Sequence, residues 1–299
     1  RNQKILVLMP NGLLNALRGI KSEQEIAVLK RTAEISNQAF RAAMSATRPG
    51  LSEAHLEAIM EFQARLLGGQ RLAYPPVVAT GNNANVIHYV HNTSQLLDGQ
   101  LVVIDAGAEY NLYPSDVTRA WPVNGKFSAA QKLLYQAVLD VQKSTIDYLE
   151  QGLKQGREMT VGALHRFSVQ ETNRHIRDTL GLKPVNKQIM EALYPHTIGH
   201  PLGMDIHEEV PAWEQKLVPG MVITIEPGIY IPSDSEHFVG TTNRDLLGNG
   251  VRIEDNVLIT ANGIDILTKD IPKELNEVEE ACQRERPLNN YIHTHYSHN

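Results

Sequence analysis

The 299-residue sequence holds one cysteine, Cys282, so no internal disulfide can form, which fits a reducing compartment. It lacks an excess of positive charge: 28 Lys and Arg stand against 34 Asp and Glu, a net of −6, and no nucleic-acid partner is expected. No apolar run approaches the roughly 18 residues of a membrane helix, so no membrane span is expected. The opening RNQKILVLMPNG is too short and too broken for a signal peptide. It offers one strand-like piece, residues 4–9, and the chain is expected to start inside a longer protein. What is present is a 42% hydrophobic content, enough for a real core and for one large domain or two modest ones.

Ser22 to Glu25 forms a capping box, and Ile26, Leu29, Ala33, Phe40 and Ala43 follow at helical spacing. That helix is expected to reach about Ala46, where Arg48-Pro49-Gly50 breaks it. Ser52 caps a second helix that stops at Gly68-Gly69. After Pro75-Pro76 come a short strand at 77–80, a buried strand at 101–106 and another near 112–122, the last two forming a hairpin. Helices follow from Ser128 to about Glu150 and over 161–180. Strands are expected at 221–226 (halted by Pro227-Gly228), 251–260 and 265–267. Helix-helix-strands occurs twice, which implies an α+β fold with approximate internal duplication. Beyond Glu280 periodicity is lost, and His293, His295 and His298 read as part of a flexible tail.

Asp105 closes an apolar strand, where a carboxylate is costly unless something pairs with it. Alone it reads as a turn residue before Gly107. Asp116, across the expected hairpin, changes that reading, because facing carboxylates repel and a divalent cation removes the repulsion. Glu226 ends another buried strand. Glu254 shares a strand face with Arg252, and an Arg252–Glu254 pair on a solvated face stays open as the alternative. His196, His200 and His207 lie in PHTIGHPLGMDIHEE; each alone reads as a turn or surface residue, but together they offer one ligand and two proton-handling groups. Asp105, Asp116, His200, Glu226 and Glu254 read as the ligand set of a two-metal centre. Four carboxylates and one imidazole suit Mn2+, and also Co2+, Fe2+ or Zn2+. A pair of such ions predicts metal-assisted hydrolysis of an amide or ester.

The runs VIDAGAEYNLYPSDVTRAWPVNGKF, PHTIGHPLGMDIHEE, PGMVITIEPGIYIP and GVRIEDNVLIT resemble the pita-bread metallopeptidases of the prolidase and aminopeptidase P group. The resemblance implies a pita-bread fold, with pseudo-two-fold helix-helix-strand halves around a curved antiparallel sheet. It implies three segments: 1–16 as the remnant of an N-terminal domain or a linker, 17–280 as the catalytic domain, and 281–299 as a tail. It also implies roles. Asp105 resembles a bidentate ligand of one metal, Asp116 and Glu254 the bridging acids, and His200 and Glu226 ligands of the other metal, with Glu226 also accepting a proton from the attacking water. His88, in NVIHY, resembles the histidine that stabilises the tetrahedral intermediate, His207 the one that contacts the substrate carbonyl, and His196 a wall of the same pocket. Arg252, Thr118 and Tyr230 resemble groups supporting the ligands. Asn111-Leu112, Pro114 and Ala120 depart from the family pattern and touch no ligand.

Within the group, DVTRAWPVNGKFS, PLGMDIHE, MVITIEPGIYIP and PKELNEVE resemble the mitochondrial-type aminopeptidases P, including intermediate-cleaving peptidases. That implies action on peptide or protein N-termini, either ahead of proline or on single residues of imported proteins. It implies a mitochondrial location, otherwise a cytoplasmic one, with a homodimer as one possible assembly. The other readings are a prolidase acting on Xaa-Pro dipeptides, a non-catalytic peptide-binding module of the same fold, and a metal-free creatinase-like hydrolase. The last two are expected to lack part of the acidic set.

Overall fold

A computed structural model describes residues 11–182, 186–208, 213–236 and 241–283. The expected strand at 4–9 and the histidine-bearing tail lie outside these residues.

Helix α1 (Asn11–Gly19) precedes α2 (Glu23–Ala46) and crosses residue 17, where the catalytic unit was expected to begin. The capping box forms: the Ser22 side chain accepts from the Glu25 amide at 3.3 Å, and Glu25 accepts the Ser22 amide at 2.7 Å. Ser52 caps α3 (Glu53–Leu66) with His55 in place of the acid, its Nδ1 taking the Ser52 amide at 3.0 Å. Then come β1 (Arg71–Leu72), β2 (Val77–Thr80), β3 (Leu101–Ala106), β4 (Ala108–Tyr110), β5 (Tyr113–Pro114) and β6 (Val117–Pro122). The second half holds α4 (Ala129–Lys154), α5 (Val161–Asp178), α6 (Lys187–Leu193), β7 (Val222–Ile225), β8 (Gly228–Ile231), β9 (Asn249–Arg252), β10 (Asp255–Thr260), β11 (Gly263–Ile266) and α7 (Leu275–Gln283).

The duplication is visible in the layers. In the first half, antiparallel strands run β2-β3-β6; Phe40 of α2 and Leu56 and Met60 of α3 pack with Val78, Val103, Ile104 and Trp121. In the second, the order is β11-β10-β7, and Leu149 of α4 and Leu164 of α5 pack with Ile223, Ile225, Val257 and Ile259. Each such buried aliphatic contributes about 1.5–3 kcal/mol, so each half carries its own apolar support. Among the described residues no helix is long and apolar enough to cross a membrane.

Two expectations change. The strand near 112–122 is two strands, because β4 and β5 form an excursion that pairs with β1 before β6 returns to β3. The strand at 251–260 is also two: β9 pairs with β8 and β10 with β7, and the break falls at Ile253-Glu254. The strand at 221–226 does halt before Pro227-Gly228, and a separate strand, β8, starts at Gly228. Both breaks lie beside the residues that matter most.

Candidate metal centre

Asp105 sits on β3, opposite Val77 of β2 and Thr118 of β6. Asp116 lies just before β6, its amide donating to Asn256 Oδ1 at 3.1 Å while its carbonyl accepts from the same side chain. Glu226 follows β7, tied by its amide to the Ile198 carbonyl at 2.8 Å. Glu254 occupies the break between β9 and β10, its amide on the Thr118 carbonyl at 3.0 Å. Arg119 reinforces this seam, donating to the carbonyls of Thr118 at 3.0 Å and Glu254 at 2.5 Å and to the buried Asp255 carboxylate at 2.7 Å. His200 pairs with Thr224, whose amide donates to the His200 carbonyl at 2.9 Å.

These placements bring all five expected ligands together. Asp105, Asp116 and Glu254 form one convergent group, His200, Glu226 and Glu254 a second, and Asp116, His200 and His207 a third, with donor atoms in each within 4.8 Å of one another. His200 Nε2 is 3.3 Å from Asp116 and 3.6 Å from Glu226. Its Nδ1 lies 3.1 Å from the Pro201 carbonyl, which can only accept, so Nδ1 donates there and Nε2 is the nitrogen that faces the acids, the one that would bind a metal once it gives up its proton.

The electrostatics fit a divalent cation. Burial, then the neighbouring Asp116, Glu226 and Asp105, pushes Glu254 well above the carboxylate range. Burial raises Asp105 against the pull of Arg252, and lifts Glu226 to about 7. Asp116 is held below its ordinary value because the bond and charge of His200 outweigh its burial. In return His200 rises to about 9, the Asp116 bond overcoming burial. Four carboxylates, Asp116 and Glu254 buried and Asp105 and Glu226 half-buried, thus share too little positive charge of their own, and hard oxygen donors with one imidazole are the donor set such ions take.

Arg252 and Glu254 do not form a pair on a solvated face. Both are buried, at 2% and 1% exposed, and Arg252 forms its ion pair with Asp105 at 2.7 Å. Arg252 Nε also donates to the Thr118 hydroxyl at 3.0 Å, which donates onward to Glu254 at 2.8 Å. From Nη1 a second chain runs to the Tyr230 hydroxyl at 2.7 Å and from there to His196 Nε2 at 2.8 Å. His196 Nδ1 meets the Thr197 carbonyl at 2.8 Å. With both nitrogens committed, and with burial and then Arg252 lowering it to about 3, His196 stays neutral and offers the site a ring face. It lies 3.8 Å from Glu226.

One residue escaped the sequence reading. The Tyr74 hydroxyl is 2.6 Å from Asp105 and 2.6 Å from Asp116. It lines a cavity of about 340 Å³ with His88, Asp105, Asp116, Ile206 and His207. His88 reaches it from the turn after the short 3-10 helix Gly81–Asn85. The His207 ring packs edge-on against His200, centroids 4.2 Å apart, and is lowered by burial and then by His200.

The model of metallopeptidase family M24 matches residues 27–261. Xaa-Pro aminopeptidase 3 of Mus musculus is 39% identical over 278 residues, covering 91% of this chain and 53% of the mouse protein. Mitochondrial intermediate cleaving peptidase 55 of Arabidopsis thaliana is 38% identical over 287 residues, covering 95% of this chain and 54% of its own length. The chain therefore spans about half of these relatives. Among solved structures, zinc-substituted aminopeptidase P of E. coli in complex with product superposes with a TM-score of 0.84 at 32% identity, over 93% of this chain and 63% of that one. Icp55 from Saccharomyces cerevisiae gives 0.83 at 33%, over 92% and 67%.

Proposed function

The chain belongs to metallopeptidase family M24 and has its pita-bread fold, and from that premise we propose that it is a dinuclear metal-dependent aminopeptidase. The observation that carries the reading is the convergence of Asp105, Asp116, His200, Glu226 and Glu254, with Asp105 and Asp116 lining a cavity. Two divalent cations, manganese in our reading with cobalt, iron or zinc as alternatives, would supply Lewis acidity toward a carbonyl oxygen and toward water. Asp105 with Asp116 would hold one, His200 with Glu226 the other, and Asp116 and Glu254 would reach both.

The protein's own groups do the rest. Glu226 takes a proton from the attacking water at its carboxylate and passes it to the departing amine. His88 and His207 line the cavity and present ring nitrogens to the oxygen that gains charge. His196 closes the wall beside Glu226 without competing for protons. Arg252 balances Asp105 and, through Thr118, orients Glu254. The catalytic unit in this reading is residues 17–280, the substrate is a peptide or protein N-terminus, and the location is the mitochondrion.

A panel of peptides with varied N-termini, with and without proline second, assayed with added Mn2+, tests this. Release of the first residue from Xaa-Pro peptides longer than two residues is the expected result. Cleavage confined to Xaa-Pro dipeptides would make the protein a prolidase, and release of single residues without proline an intermediate-cleaving enzyme. No hydrolysis by protein holding two ions per chain would leave only a peptide-binding module.

A further inference from the structure

His207 is held by little of its own. It is exposed, it leans on His200, and among the described residues no side chain hydrogen-bonds its ring. Its neighbour Glu208 is the opposite. The Glu208 side chain is 4% exposed and its carboxylate turns under the loop that starts at Pro201. One oxygen accepts the Met204 amide at 3.1 Å and faces Arg18 at 3.3 Å; the other meets Lys21 Nζ at 2.8 Å. The Glu208 amide closes the loop on the Pro201 carbonyl at 3.2 Å. Gly203 leaves the room this needs, since a Cβ there would stand 2.0 Å from the carboxylate.

Lys21 is as buried as its partner, at 1% side-chain exposure, and is itself fixed: its amide donates to the Gly220 carbonyl at 2.8 Å. Arg18 adds an exposed pair with Asp205 at 2.7 Å. Both cations lie ahead of residue 27, where the family match begins, Arg18 in the last turn of α1 and Lys21 between α1 and α2. A buried carboxylate needs a matching cation, and the one it finds comes from a different part of the chain.

We infer that Lys21 is a positioning residue for His207, acting through Glu208 and the loop from Pro201. The inference rests on the reading of His207 as a group that faces substrate. With Glu208 locked inward, the backbone turns His207 toward the cavity. Without the lock, the loop can rotate the ring away while the metal ligands, held by Thr224 and the strand ends, keep their places.

Full-length Lys21→Met, Glu208→Gln and His207→Ala, with the Lys21→Met/His207→Ala double variant, test this with Mn2+ bound. Lys21→Met is expected to lower kcat about tenfold or more, with bound metal per chain unchanged by elemental analysis. In the His207→Ala background it is expected to cost less than about twofold, because the group it positions is gone. Equal losses in both backgrounds, or loss of an ion, would show a merely structural tie and overturn the inference. Should Lys21→Met not fold, Glu208→Gln, which keeps the acceptor for Met204, carries the same comparison, and Lys21→Arg is expected to rescue. If His207→Ala alone leaves kcat untouched, the reading of His207 falls first and the inference with it. If His207→Ala is impaired and Lys21→Met is not, only the inference falls.

Discussion

A tyrosine hydroxyl has one proton to give, yet Tyr74 stands at 2.6 Å from both Asp105 and Asp116. It therefore fixes the two acids relative to each other. Burial, then these two charges, raises it well above its ordinary value, so it stays a donor. Nothing in Ala73-Tyr74-Pro75 announces this: the acids were legible because a carboxylate ending an apolar strand violates a pattern, whereas a tyrosine before a double proline violates none. The same logic made Glu226 visible. Glu226→Gln is expected to lower kcat by roughly 100-fold or more while the urea unfolding midpoint changes little, measured side by side on one preparation. Turnover near the parent's would remove Glu226 from proton transfer.

At the level of elements, capping boxes and apolar periods marked the long helices to within a few residues, since those signals are local. The breaks were not legible. Val251, Ile253 and Val257 keep an unbroken strand texture, and only the crossing of Glu254 onto Thr118 splits it. The excursion of β4 and β5 likewise depends on β1, about forty residues away in contact though not in texture. Gly107 permits that excursion, as a Cβ there would lie 1.7 Å from the Ser115 carbonyl oxygen. Gly107→Ala is expected to destabilise by about 2 kcal/mol or more by urea denaturation of metal-free protein and to weaken Mn2+ binding by calorimetry, because Asp116 is displaced from Asp105. Wild-type affinity in that variant would detach the excursion from the site.

Over the whole molecule the linked titrations give a sign. Burial raises Glu226 from 4.5 to about 7, so its contribution to stability is full below 4.5 and lost as pH climbs through 7. His200, lifted from 6.5 to about 9 as Asp116 outweighs burial, contributes fully below 6.5 and loses that as pH passes 9. His196, lowered from 6.5 to about 3 by burial and then Arg252, acts the other way and gains stability as pH rises to 6.5. Above that it is level, so the Tm of metal-free protein is expected to fall between about pH 7 and pH 9, and added Mn2+ to reduce the fall because its ligands bind it deprotonated. Scanning calorimetry at several pH values checks this, and a flat or rising metal-free Tm would contradict it.

Asp105 and Asp116 come from one helix-strand half, and His200, Glu226 and Glu254 from the other, with the Thr118–Glu254 seam between them. Ions seated among these groups are shared property of the two halves. Their exchange is then a question of time as much as affinity: donors from both halves must let go before an ion passes into the cavity. Its residence time would report how firmly the two halves act as one cage.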